Sequence, residues 1–128
     1  MSALFVCYPK CTTCQKAGKW LNAHGVAYTF RDIKLDNPGA DELREWMAQS
    51  GLEPKRFFNT SGMLYRSMAL ADRLKTMSAP EMIALLATDG MLVKRPLLVT
   101  EDMVLVGFRE TEWEKALLEG TAPDTVEY

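Results

Sequence analysis

A single mixed α/β domain, ordered β-α-β, helical insertion, β-β-α, is the fold the chain predicts on three observations. Short runs rich in β-branched and aromatic residues fall at 3–8, 26–33, 96–100 and 103–108. Roughly sixty residues of helical pattern separate the second run from the third. No internal repeat, low-complexity stretch or Gly/Ser linker marks a second domain. With 128 residues, 48% of them hydrophobic and 25% charged, the chain suits one domain with a sizeable core.

The elements follow in order. Ala3-Leu-Phe-Val-Cys-Tyr8 reads as the first strand. After the loop carrying Cys11-Thr-Thr-Cys14, apolar residues at Ala17, Trp20 and Leu21 keep the i, i+3, i+4 spacing of one helix face. Gln15 to His24 therefore continues a helix whose N-terminus lies at Cys11. The run at 26–33 is the second strand. Leu43, Trp46 and Met47 form the apolar face of the next helix, opened by Asn37-Pro38 and closed by Gly51. Ser78-Ala-Pro-Glu81 is a capping box with a proline in the first turn, ahead of Met82, Leu85 and Leu86, and Gly90 is predicted to end that helix. Glu101-Asp102 separates the last two runs into a hairpin, and Thr111-Glu-Trp-Glu114 repeats the capping box before Ala116 and Leu117. This order is a thioredoxin-like layout. Its core would occupy about 1–36 and 92–120, an all-helical subdomain about 37–91, and a loose tail 121–128.

Charge and composition narrow the functions. A formal net charge of -2 argues against a dedicated nucleic-acid surface, and nothing suggests a membrane partner. No basic n-region with a long apolar h-region opens the chain, and no stretch approaches 18 apolar residues, so a cytoplasmic protein is expected. Three cysteines, an odd number, fit no structural disulfide framework.

Cys11 and Cys14 carry the chemistry. The unpaired N–H groups and positive dipole end of a helix N-terminus favour a thiolate over a thiol, so Cys11 is expected to titrate below a free cysteine and to be the nucleophile. Cys14, one turn later, is placed to attack a mixed disulfide on Cys11, which makes the pair a dithiol/disulfide switch. A closed zinc site needs four ligands, and beyond this pair the chain offers only Cys7, in a strand, and His24, far down the helix. Cys7-x-x-x-Cys11-x-x-Cys14 has the spacing of the iron–sulfur motif of radical S-adenosylmethionine enzymes, but those enzymes need a much larger barrel, and Cys7 reads better as a buried strand cysteine. Neither metal nor cofactor is expected.

Lys94-Arg-Pro-Leu-Leu-Val99 is the second informative stretch. A proline opening a strand is tolerated at that point. In this layout the strand begins beside the first helix, so a cis Pro96 would hold the backbone of Arg95 against Cys11, where it can pair with an extended peptide or glutathione. Arg95 would then face the thiolate and bind an oxyanion or carboxylate. Lys10 and Lys16 flank the same loop.

Cys11-Thr-Thr-Cys14-Gln-Lys-Ala, Asn59-Thr-Ser-Gly-Met-Leu-Tyr65, Lys94-Arg-Pro-Leu-Leu-Val99 and Val106-Gly-Phe108, in that order, resemble the arsenate reductase (ArsC)-like/Spx family. The resemblance spans about residues 3 to 118. It implies a thioredoxin-like fold with a helical insertion, a reactive cysteine at Cys11 and an arginine before a cis-proline at Arg95-Pro96. It points to a candidate substrate-binding set of Lys10, Thr12, Thr13, Asn59, Arg95 and Pro96. Two departures stand out. Arsenate reductases of the family place a serine and then an arginine where this chain has Cys14 and Gln15, and of their three oxyanion arginines only Arg95 is matched. The other two positions fall on Asn59 and Phe108, with Arg56 and Arg109 nearby. Spx regulators share the two cysteines but carry an arginine where this chain has Ser61.

The expected function is a thiol-disulfide oxidoreductase in which Cys11 attacks, Cys14 resolves through a Cys11–Cys14 disulfide, and Arg95 binds the anion. Glutathione, as co-substrate, glutaredoxin or thioredoxin would be the reductant. The alternatives are an Spx-type redox-sensing regulator, which would bind the carboxy-terminal domain of the RNA polymerase α-subunit, and an arsenate reductase.

Overall fold

A computed structural model describes residues 3–119; the tail assigned to 121–128 lies outside the described residues. Four strands form one sheet: β1 (Leu4–Cys7), β2 (Thr29–Asp32), β3 (Leu97–Val99) and β4 (Val104–Val106). The order is β2-β1-β3-β4, with β1 parallel to β2 and antiparallel to β3, and β3 antiparallel to β4. This is the thioredoxin-like arrangement the sequence predicts.

Alternation along the strands divides the interior into two cores. Phe5, Cys7, Leu98 and Leu105 face one side, where α1 (Thr12–Ala23) and α6 (Glu110–Glu114) bring Cys14, Ala17, Trp20, Leu21 and Trp113. Val6, Leu97 and Val104 face the other, covered by the insertion. That insertion comprises α2 (Ala40–Ser50), α3 (Met63–Ser67), α4 (Leu70–Arg73) and α5 (Ala79–Leu86), with 3-10 turns at Pro54–Phe57, Leu74–Thr76 and Gly90–Leu92. Trp113, Phe57 and Phe58 are the largest fully buried side chains, each stabilising the fold by about 2–3 kcal/mol through apolar burial.

The helix boundaries test the local signals. Ser78 caps α5 as expected: its Oγ accepts from the Glu81 N–H at 3.3 Å, and its own N–H donates to Glu81 Oε1 at 2.8 Å. Gly51 closes α2 in the left-handed region at φ 73, its N–H on the Met47 carbonyl. Three expectations are corrected. α2 opens at Gly39 rather than Asn37-Pro38, because the Asn37 amide is drawn away to donate to the Ala87 carbonyl at 2.8 Å. α5 ends at Ala87, not Gly90. Gly90 instead lies where a Cβ would come within 1.7 Å of the Ile33 carbonyl oxygen, so it is a close-approach glycine. Finally, Thr111 is no cap: α6 starts from Arg109, because the buried Trp113 indole donates to the Gly107 carbonyl at 3.1 Å and winds the chain earlier, before a π-helical turn at Lys115–Glu119.

The hairpin between β3 and β4 is as predicted. The Thr100 N–H donates to the Met103 carbonyl at 2.9 Å, and the Thr100 hydroxyl donates to Asp102 at 3.2 Å. At the other end of the sheet Arg31 of β2 reaches Glu42 of α2 with two bonds, 2.8 and 2.9 Å, and donates to the Asp36 and Asn37 carbonyls. Among the described residues no helix is long and apolar enough to cross a membrane.

Candidate active site

Register places the site. Val6 of β1 pairs with Leu97 of β3, so the residues just before β3 lie beside the end of β1 and the loop that follows it. The peptide bond between Arg95 and Pro96 is cis. Tyr8 ends the first strand region, and its carbonyl accepts the Cys11 N–H at 2.9 Å; the Gln15 side chain donates to the Pro9 carbonyl at 3.0 Å and fixes the same loop.

Cys11 is the N-cap of α1 and half-buried, whereas Cys14 and Cys7 are buried. The first-turn N–H groups of a helix have no partners within it, and no acidic side chain occupies the first turn of α1. An anion at Cys11 therefore meets backbone donors without a competing carboxylate. Beneath it, the Tyr8 N–H donates to Cys14 Sγ at 3.3 Å. The hydrogen bond Cys14 shares with Cys7, and then burial, push the Cys14 thiol above its ordinary range; the same shared bond draws Cys7 below its own despite burial. The three cysteines thus divide by environment into one reachable thiol and a buried pair. His24 is turned away, stacked on Trp20 at 4.2 Å with its Nδ1 2.9 Å from the Trp20 carbonyl.

An open cleft of about 1170 Å³ lies over Cys11. Thr13, Asn59 and Arg95 line it with Cys11; Lys10, Thr12, Lys16, Cys14 and Pro96 do not. Lys10, Thr12 and Lys16 are exposed, and Pro96 is buried at the start of β3. Arg95 donates to the Met91 carbonyl at 3.3 Å, and its guanidinium carbon lies over the Tyr8 ring, 5.5 Å from its centre. The insertion adds Arg56 and Asn59 to the lining, and the Asn59 N–H donates to the Leu92 carbonyl at 2.8 Å.

How basic this cleft is could not be read from the sequence. Lys55, Arg56, Lys94, Arg95 and Arg109 line it against one carboxylate, Glu112. Arg56 and Arg109, displaced from the matching motif positions, return to the same cavity through the fold, so three guanidiniums line it. No spacing rule joins a residue of a 3-10 turn at 56 to one after β4 at 109; only the sheet order does. Phe108 adds a stiff wall, packed edge-on against Trp113 at 4.8 Å.

A reachable helix-capping cysteine backed by a buried one, set on this sheet with helices inserted between β2 and β3, defines a thioredoxin-fold protein of the helically extended kind. A model of the ArsC family matches residues 7–116, and the chain belongs to the ArsC family. It is 48% identical to the uncharacterized protein YusI of Bacillus subtilis (strain 168), over 90% of this chain and 98% of that one. It superposes on the crystal structure of an ArsC family related protein from Bacteroides fragilis with a TM-score of 0.88 and 56% identity, covering 90% and 97% of the two chains. A possible arsenate reductase from Streptococcus mutans UA159 follows with a TM-score of 0.78 and 47% identity, over 84% and 91%. The global transcriptional regulator Spx of Staphylococcus haemolyticus is more distant, 25% identical over 85% of this chain and 82% of its own.

Proposed function

We propose that the protein is a thiol-disulfide oxidoreductase working through Cys11 and Cys14. The observation that carries this reading is the difference in exposure within one helical turn: Cys11 faces the cleft, Cys14 is buried behind it. The Cys11 thiolate attacks one sulfur of a substrate disulfide, forming a mixed disulfide and releasing the other sulfur as a thiolate that takes up a proton. Cys14 loses its proton and attacks Cys11 Sγ, which expels the second substrate thiol and leaves the Cys11–Cys14 disulfide. Two electrons pass from the protein dithiol to the substrate disulfide, and glutathione, glutaredoxin or thioredoxin returns them. Arg95 binds a carboxylate or oxyanion of the substrate and favours negative charge at the reacting sulfur.

A second reading, arsenate reduction, is favoured by one observation: Arg56, Arg95 and Arg109 all line the cleft. Against it stand Asn59 and Phe108 at the positions where the arsenate reductases of the family carry arginines, and preorganised donors at those points do most of the electrostatic work. Turnover of a glutathione-peptide mixed disulfide, compared with turnover of arsenate in the presence of glutathione and glutaredoxin, tests the two. We expect the disulfide to be reduced and arsenate turnover to be weak or absent. Efficient arsenate reduction abolished by Cys11→Ser reverses the order. If neither substrate turns over, and oxidation instead changes binding to the carboxy-terminal domain of the RNA polymerase α-subunit, the protein is a regulator of the Spx type.

A further inference from the structure

Exchange between Cys11 and Cys14 leaves one buried nucleophile, Cys7, without a part. Cys7 ends β1 and is 3% exposed; strand alternation turns it with Phe5 toward α1, into the same apolar cluster as Cys14 at 2%. The chain itself brings the two together. The Cys11 N–H closes a turn onto the Tyr8 carbonyl at 2.9 Å, and the Tyr8 N–H donates to Cys14 Sγ at 3.3 Å. The Tyr8 nitrogen is two bonds from the Cys7 Cα, so that carbon lies within about 6 Å of the Cys14 sulfur. The Cys7 side chain, on the same face, reaches into that gap. Both other thiols act on the Cys14 proton, Cys7 most strongly, whereas Cys11 reaches Cys7 only through charge. Cys14 is therefore the shared neighbour of Cys7 and Cys11.

Environment decides which pair a disulfide prefers. Where three thiols share one disulfide, the sulfur left free is the one whose thiolate is best accommodated. Cys11 caps α1, is half-buried and opens to the cleft, so a thiolate leaving there meets backbone donors and water. Cys7 has neither. Burial opposes a charge on it, as do a Cys11 thiolate and the carboxylate of Asp32, its partner in β2. What favours a Cys7 thiolate in the reduced protein is the Cys14 thiol, whose proton is gone once Cys14 is oxidised. Uncatalysed rearrangement of a protein disulfide takes minutes to hours, so a shift from Cys11 to Cys7 follows closure of Cys11–Cys14 rather than replacing it.

We propose that Cys7 is the third thiol of the site, taking Cys14 from the Cys11–Cys14 disulfide and leaving a buried Cys7–Cys14 disulfide with Cys11 free. The Cys7 thiol loses its proton and attacks Cys14 Sγ; the Cys7–Cys14 bond forms, the Cys11–Cys14 bond breaks, and Cys11 leaves as a thiolate. No electrons leave the protein in this step. The chain then stays oxidised behind a reactive Cys11, because a reductant entering by the cleft meets no disulfide and waits for Cys11 to reverse the exchange. The transfer rests on the thiol-exchange reading, and one time course separates the two. The intact protein is treated with a glutathione-peptide mixed disulfide, acid-quenched at intervals, alkylated with N-ethylmaleimide and cut with trypsin, which cleaves after Lys10 and Lys16. A Cys11–Cys14 disulfide stays inside 11–16, whereas a Cys7–Cys14 disulfide ties 1–10 to 11–16 with the label on Cys11. We expect the first species early and the second to replace most of it over about an hour. Cys7→Ala stops at the first species, and glutathione reduces it at least about tenfold faster than oxidised wild type. Cys11→Ser forms no cross-link in the same time, since the buried pair is out of the oxidant's reach. A Cys11–Cys14 disulfide that persists in wild type overturns the proposal without any variant. So does an equally fast cross-link in Cys11→Ser, a label on Cys14 in place of Cys11, or equal rates of reduction. The oxidoreductase reading stands wherever the Cys11–Cys14 species has formed; if Cys11 and Cys14 never join, both fall.

Discussion

Cys7, Cys11 and Cys14 are the same functional group in three environments, and their reactivities should separate accordingly. Cys11 is half-buried at a helix cap open to the cleft, while the other two are buried. Limiting iodoacetamide near neutral pH should label Cys11 first; peptide mapping that finds Cys7 or Cys14 labelled first removes the nucleophile assignment. The second step should show a different pH dependence. Because Cys14 is held above its ordinary value of 9.0 by its bond to Cys7 and by burial, its thiolate fraction near neutrality is small. Closure of a preformed Cys11 mixed disulfide should then accelerate about tenfold per pH unit between about pH 6 and 8, followed by stopped-flow quenching. A flat profile would mean that something other than deprotonation of Cys14 limits closure. The placement of Cys11 at the helix cap and of Cys14 behind it was legible in the sequence because both lie in one helical turn, where spacing fixes geometry. The link between Cys7 and Cys14 was not, since it depends on which face of β1 packs on α1.

At the scale of elements, the joint between sheet and insertion is set by a few contacts. Arg31 is 14% exposed and holds Glu42 in two hydrogen bonds while donating to two loop carbonyls. Arg31→Ala should destabilise by about 1–2 kcal/mol in denaturant unfolding. The hydrogen bond from Arg31 first, then that from the Gly39 N–H, holds the Glu42 carboxyl below its ordinary value of 4.5. A carboxyl lowered on folding adds stability that is present above 4.5 and is lost as pH falls through the folded value. Glu42→Gln should therefore narrow the stability gap to wild type below pH 4, by less than about 1 kcal/mol because Glu42 is 42% exposed. Gly90→Ala is a harsher test. Its Cβ meets backbone rather than a side chain that can turn aside, so a loss of about 3 kcal/mol or more is expected, and a Tm within a degree or two of wild type would contradict the close approach. Capping signals located the start of α5 to the residue because Ser78 and Glu81 satisfy each other locally. They failed at Thr111 and Asn37, where tertiary bonds from Trp113 and to Ala87 outcompeted local preference.

Across the whole molecule, the fold gathers what the sequence scatters. The β2-β1-β3-β4 order sets the start of β3 beside the loop after β1, and so brings Arg95 from one half of the chain to Cys11 from the other. The succession of elements, and with it the thioredoxin-like layout, was readable from the sequence. The basic lining was hidden, because Arg56 and Arg109 meet only after the insertion folds over the sheet edge. The central claim is that the cleft serves a dithiol whose two members act in sequence. Its most direct measurement is mass mapping of the reduced protein and of Cys14→Ser after brief exposure to a glutathione-peptide mixed disulfide and an acid quench. The account predicts an intramolecular Cys11–Cys14 disulfide in wild type and an adduct trapped on Cys11 in the variant. An unreacted Cys11, or an adduct carried on Cys7, would contradict it.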